Sequence, residues 1–239
     1  HISKIKQKVN LPILCKDFFI DKFQVPLAKS YGADAILIIL AGVSDELAYD
    51  LYEEAHMPWD WHKPLFDHAR KVGITMFSSP FDPTAIDLLE DLGAPAYKIA
   101  SFEIIDVPLL RKVAATGRPV IVSTGMATLE EIEQAVTTLQ SNGCNEIALL
   151  KCTSAYPAPP ESMNLRTLPD LAARFQLPVG LSDHTLDHHS SITSVALGGS
   201  IIEKHLTLSR SEEGPDSSFS LEPSEFAELV KAIRTTEKA

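Results

Sequence analysis

The sequence predicts an α/β chain folded as a single (β/α)8 TIM barrel. Three observations carry that prediction. Eight apolar, β-branched runs recur along the 239 residues. The runs are nearly continuous rather than alternating, as in strands buried on both faces. Amphipathic stretches separate them, and alternating strands and helices build a parallel sheet. A doubly wound open sheet is the alternative. It usually carries a glycine-rich phosphate turn after its first strand, and none is found here.

Taken in order, the strands read at 11–17 ("LPILCKD"), 34–40 ("DAILIIL"), 73–79 ("GITMFSS"), 96–101 ("AYKIAS"), 119–124 ("PVIVST"), 146–153 ("EIALLKCT"), 178–184 ("PVGLSDH") and 200–207 ("SIIEKHLT"). Helical patterns lie at 64–72, 83–93 and 128–143. The first places Pro64 in its opening turn, where a missing N–H costs nothing. The third opens with a Thr128–Glu131 capping box and stops at Gly143. "MPWDWHKPLF" (57–66) is either a substrate wall bearing Trp59 and Trp61 or a packed lead-in to that first helix.

Composition narrows the function classes. A 45% hydrophobic content supports a full core. The net charge of −11, without a block of like charge, argues against a nucleic-acid partner. Small anions need only a local cationic pocket, so a phosphorylated ligand, phosphate or sulfate stays open. Cys15, Cys144 and Cys152 show no zinc spacing and read as buried thiols of a reducing compartment. No apolar run reaches the roughly 18 residues of a membrane span, and no signal-peptide pattern opens the chain. The expectation is a cytoplasmic protein without a membrane partner, monomeric or weakly dimeric.

A barrel does its chemistry at the C-terminal ends of its strands. His184 and His205 end the seventh and eighth strands, about 5 Å apart as neighbours. Alternation puts Ser182 with His184, and Glu203 with His205, on a shared face. Two imidazoles suit a transition metal better than Ca2+. The bland alternative is a packed polar residue at each strand end. Asp216 is a third ligand, a base, or a turn aspartate after Pro215. Ser79, Ser101, Ser123 and Ser182 would ring the mouth and hold a phosphate or carboxylate, with Lys98 supplying charge. Each serine alone is ordinary at a strand end. Lys98 is out of step with Ser101 and Glu103, which turns it toward the helix layer. Glu103 is the candidate general acid or base, its carboxyl raised in pKa at a closed mouth. Otherwise it is an acid leading a helix. His56, His62 and His68 read as surface or packing, and His188 and His189 as groups supporting the site.

From about Leu51 onward the chain resembles the N-acetylneuraminate synthase family. "LYEEAHMPWDWHKPLF", "GITMFSSPFDPTAIDLLE", "VIVSTGMATLEEI", "LLKCTSAYPAP", "VGLSDHT" and "IIEKHLTLSRSEEGPDSSFSLEP" carry the resemblance. "KIASFEI" points to its pseudaminic acid synthase branch. Such transferases condense phosphoenolpyruvate with an N-acetylated amino sugar to give a nonulosonic acid. The resemblance implies that His184 and His205 hold a divalent metal, Mn2+ ahead of Mg2+, Co2+ or Zn2+. It implies that Ser79, Lys98, Ser101, Ser123 and Ser182 face phosphoenolpyruvate, with Ser154 near by. Glu103 and Asp216 would serve the sugar and the proton transfers.

The first 50 residues depart from that family. "GADAILIIL" puts Leu37 and Ile39 where the family's lysine and glutamine belong. Residues 1–48 instead resemble indole-3-glycerol phosphate synthase, whose catalytic lysine falls on Lys16 in "LCKDF". The family's C-terminal antifreeze-like domain is expected to be absent after Ala239. The reading drawn from these departures is an engineered chimera joined near residues 45–52, a scaffold with little or no turnover. An active synthase is the alternative, and an indole-3-glycerol phosphate synthase-like lyase a third.

Overall fold

A computed structural model describes residues 14–17, 35–38, 58–211 and 216–239, the first two segments as backbone only. Eight strands appear where the apolar runs lie. They are β1 (Leu14–Asp17), β2 (Ala35–Ile38), β3 (Thr75–Ser78), β4 (Tyr97–Ile99), β5 (Val120–Ser123), β6 (Ile147–Cys152), β7 (Val179–Asp183) and β8 (Ile201–His205). They pair in chain order and in parallel, and β1 pairs with β8 to close the ring. In that register Lys16 lies opposite both Leu37 of β2 and His205 of β8.

Seven described helices follow β2 to β8: α1 (Trp59–Val72), α2 (Pro83–Asp91), α3 (Val107–Ala115), α4 (Leu129–Ser141), α5 (Thr167–Phe175), α6 (His189–Ala196) and α7 (Pro223–Thr236). The segment between β1 and β2 lies outside the described residues. Short polar residues start several helices. Asp82 Oδ1 accepts the N–H groups of Thr84 and Ala85 at 2.6 and 3.1 Å, with Pro83 just inside α2. Thr128 and Glu131 form the expected reciprocal box. α1 corrects one expectation. It begins five residues before Pro64, so that proline sits inside the helix and costs one intrahelical bond. Trp59 and Trp61 are 53 and 40% exposed, so they are not a packed lead-in.

The core lies between the strands' outer faces and the helices. Tyr97, Ile99, Val120, Val122, Ile147, Leu149 and Val179 pack there with Leu89, Leu109, Leu110, Ile132, Leu139 and Leu229. The Tyr97 hydroxyl donates to Glu90 Oε1 of α2 at 2.8 Å. Tyr97 thus faces the helices, and its neighbour Lys98 faces the barrel interior. The expectation that Lys98 points to the helix layer is overturned. β4 ends at Ile99, so strand alternation cannot be counted on to Ser101 and Glu103.

Candidate active site

The floor of the mouth is a buried ion pair spanning the barrel. Lys98 Nζ of β4 lies 3.5 Å from Glu203 Oε2 of β8, and both side chains are at most 1% exposed. Ser182 on β7 donates its hydroxyl to Glu203 Oε1 at 2.6 Å. Glu203 is therefore a central group of the site, which sequence reasoning noted only as sharing a face with His205. A charge this deep must be compensated, and Lys98 and Ser182 supply that compensation.

Around this floor stand the other serines. Ser79 and Ser123 are buried, and neither hydroxyl has a hydrogen-bond partner among the described residues. Ser101 accepts the Gly125 N–H at 3.2 Å. A Cβ on Gly125 would stand 2.4 Å from both Ser101 Oγ and Ser154 Oγ. The ends of β4, β5 and β6 therefore meet here, and glycine is what lets them. Hydroxyl and amide donors beside an ammonium form a surface for an anion.

The two histidines stand side by side, ring centroids 5.2 Å apart and nearly edge to face. The Thr153 carbonyl lies 3.0 Å from His184 Nδ1. A carbonyl only accepts, so Nδ1 carries the proton and Nε2 the lone pair. Asp216 Oδ2 lies 3.1 Å from His205 Nδ1, within ion-pair distance of the second ring. Imidazoles oriented by an oxygen at one nitrogen are arranged as metal ligands are. Among the described residues no group of three or more His, Cys, Asp or Glu side chains gathers to hold an ion. Asp216 stands beside His205, on the side of Nδ1. The residues present fit an ion that takes two nitrogens and completes its shell with water or substrate oxygen.

Two loops hold this arrangement. Ala158 N–H donates to the His184 carbonyl at 2.9 Å, which lays Tyr156 over the ring at 4.3 Å. Leu221 N–H donates to the His205 carbonyl at 3.0 Å, which brings Phe219 to 5.4 Å from that ring. Tyr156 and Phe219 escaped sequence reasoning, because no spacing marks them. Cys152 Sγ sits 4.0 Å from His184 Nδ1 and 3.8 Å from Ser154 Oγ. Cys144 and Cys152 are the expected buried free thiols. Glu103 opens a 3-10 turn (Glu103–Ile105) at the end of β4. Burial raises its carboxyl above the usual glutamate range, opposed by its own backbone amide and by Lys98. His189 is on the surface, 3.3 Å from Asp187, away from any supporting position. The side chain of Lys16 lies outside the description.

Together these features define a parallel α/β barrel whose mouth joins an ion-paired, serine-lined floor to two adjacent imidazoles. The chain belongs to the NeuB family, whose model matches residues 28–239. It is 44% identical over 189 residues to the pseudaminic acid synthase of Helicobacter pylori, covering 79% of this chain and 56% of that one. It is 44% identical over 227 residues to the protein MJ1065 of Methanocaldococcus jannaschii, covering 93% and 67%. Its fold matches the N-acetylneuraminic acid synthetase of Leptospira borgpetersenii with a TM-score of 0.90 at 29% identity, covering 96% of this chain and 85% of that one. The chain thus spans little more than half of the Helicobacter relative and about two thirds of MJ1065. The junction expected at 45–52 lies inside the matched segments, which removes the support for a second parent there. Among the described residues no helix is long and apolar enough to cross a membrane.

Proposed function

We propose that this chain is the barrel of an active sugar-acid synthase, condensing phosphoenolpyruvate with an N-acetylated amino sugar to a nonulosonic acid. The observation that carries the reading is the single mouth shared by the Lys98–Glu203–Ser182 floor and the His184–His205 pair. The similarity to a relative named a pseudaminic acid synthase supports it. A barrel of the eightfold βα kind suits the reaction because both reactants must meet at one rim.

In the proposed reaction the methylene carbon of phosphoenolpyruvate bonds to the aldehyde carbon of the sugar. Water adds at the enol carbon, and phosphate leaves with its C–O bond broken. Lys98 and the hydroxyls of Ser79, Ser123 and Ser101 bind the phosphate and carboxylate, with Ser154 beside them. Glu203 holds Lys98 and Ser182 in place. Glu103, whose carboxyl burial raises above the usual glutamate range, is the group placed to give a proton to the developing alkoxide. His184 and His205 would hold the divalent ion, Mn2+ in this proposal. When bound, the ion polarises the sugar carbonyl as a Lewis acid. Tyr156 and Phe219 wall the sugar's end of the mouth.

Phosphate release from phosphoenolpyruvate, 2,4-diacetamido-2,4,6-trideoxyhexose and Mn2+ tests this directly. Lys98→Met and His184→Ala should each reduce it about 100-fold or more. Release no greater than in a sugar-free control, with every N-acetylated hexosamine tried, would sink the proposal and restore the inactive scaffold.

A further inference from the structure

The reverse side of β7 and β8 carries a second buried ion pair, behind the histidines. Each histidine follows a charged residue, Asp183 before His184 and Lys204 before His205. Alternation turns this pair to the helix layer. Asp183 Oδ2 lies 3.0 Å from Lys204 Nζ, with side chains 0 and 2% exposed. Asp183 Oδ1 accepts from Thr185 N and Thr185 Oγ1 at 2.9 and 2.7 Å. Ser191 of α6 donates to Oδ2. Lys204 Nζ also donates to the carbonyls of Thr185 and Asp187. Every one of these partners lies in the segment that begins one residue before His184. One ammonium on β8 thus gathers the whole turn that carries the β7 histidine.

The sheet alone does not set the distance between the rings. The β7–β8 ladder ends at the registered pair Asp183 and Lys204, and both histidines follow it. Lower on the outer faces of β5 to β7 the chain uses Val120, Val122, Leu149 and Val179, and Lys151 is the charged outer residue at the upper end of β6. An apolar pair would serve packing there as well, because replacing a buried ion pair by apolar groups is often neutral. Unlike an apolar pair, an ion pair fixes distance and direction.

We propose that the Asp183–Lys204 pair is a positioning device that sets His184 and His205 at metal-binding separation. It rests on the metal reading of those two histidines. Groups that orient metal ligands from behind typically change metal affinity 10- to 100-fold.

The experiment measures Mn2+ binding by the spin-resonance signal of free Mn2+, on the full chain. Lys204→Met alone strands a buried aspartate and risks unfolding. The double variant Asp183→Asn/Lys204→Met leaves no lone charge and keeps the fold measurable. Its Mn2+ dissociation constant should rise about tenfold. Its affinity for phosphoenolpyruvate, which depends on the floor, should stay within about twofold. Val122→Ala, buried on β5, reports what a loosened barrel does to Mn2+ binding, and it should do little. An unchanged Mn2+ constant in the double variant would overturn the proposal. So would an equal loss in Val122→Ala at a similar melting temperature. If His184→Ala binds Mn2+ as the unaltered chain does, the metal reading itself falls, and that result is distinct from both others.

Discussion

The pair that crosses the barrel gives the sharpest stability prediction. At 3.5 Å, Lys98 and Glu203 attract by about 5 kcal/mol at an effective dielectric near 20. Desolvation of two fully buried charges offsets much of that, so the net worth of the pair is small. Removing one partner is another matter, because the second charge then stays buried without its counter-ion. Lys98→Met and Glu203→Gln should each cost about 3–5 kcal/mol. At about 2–4 °C per kcal/mol for a chain of this size, melting falls by roughly 6–20 °C. The double variant Lys98→Met/Glu203→Gln removes both charges and should return to within about 1.5 kcal/mol of the parent. Ser182 can still donate to the glutamine oxygen. Urea unfolding of all four proteins, without metal or phosphoenolpyruvate, measures the cycle free of ligand stabilisation. Additive losses, with the double variant the least stable, would refute the claim that the two charges compensate each other.

Three further expectations follow from the same structure. Gly125→Ala forces a methyl to within 2.4 Å of two serine hydroxyls, so it should cost about 1–3 kcal/mol by calorimetry and weaken phosphoenolpyruvate binding. Asp82→Ala removes the acceptor for two N–H groups of α2 and should cost about 1 kcal/mol in urea unfolding. Glu103 is raised in the fold mainly by burial, so its contribution is fully present below the ordinary glutamate pKa and is lost as pH climbs through the folded value. Glu103→Gln should therefore gain stability relative to the parent as pH rises from 4 to 8. A melting difference that does not change with pH would contradict that assignment.

Much of this was legible in the sequence because double-sided burial writes strands as near-continuous apolar runs. Each of the eight contains its observed strand, and the Thr128–Glu131 box marked the start of α4 to the residue. The histidine pair was legible for a related reason. β7 and β8 are consecutive and registered, so residues at their ends are neighbours in space. α1 was misjudged because its first turn is exposed and carries no buried period; the buried face begins at Leu65. Lys98 was misjudged because parity was carried past the end of a three-residue strand.

What the sequence concealed is closure across the lumen. Lys98 and Glu203 stand on strands that no ladder joins, and nothing in either local pattern announces the other. Tyr156 and Phe219 reach the histidines only because two carbonyls at the strand ends capture loop amides. The same blindness explains the chimera. Leu37 and Ile39 looked foreign because they were weighed as a local motif. The described part of the mouth holds contacts of its own. Lys98 is answered by Glu203, His184 by Thr153 and His205 by Asp216, all from β4 onward. These contacts stand whatever residues β2 carries.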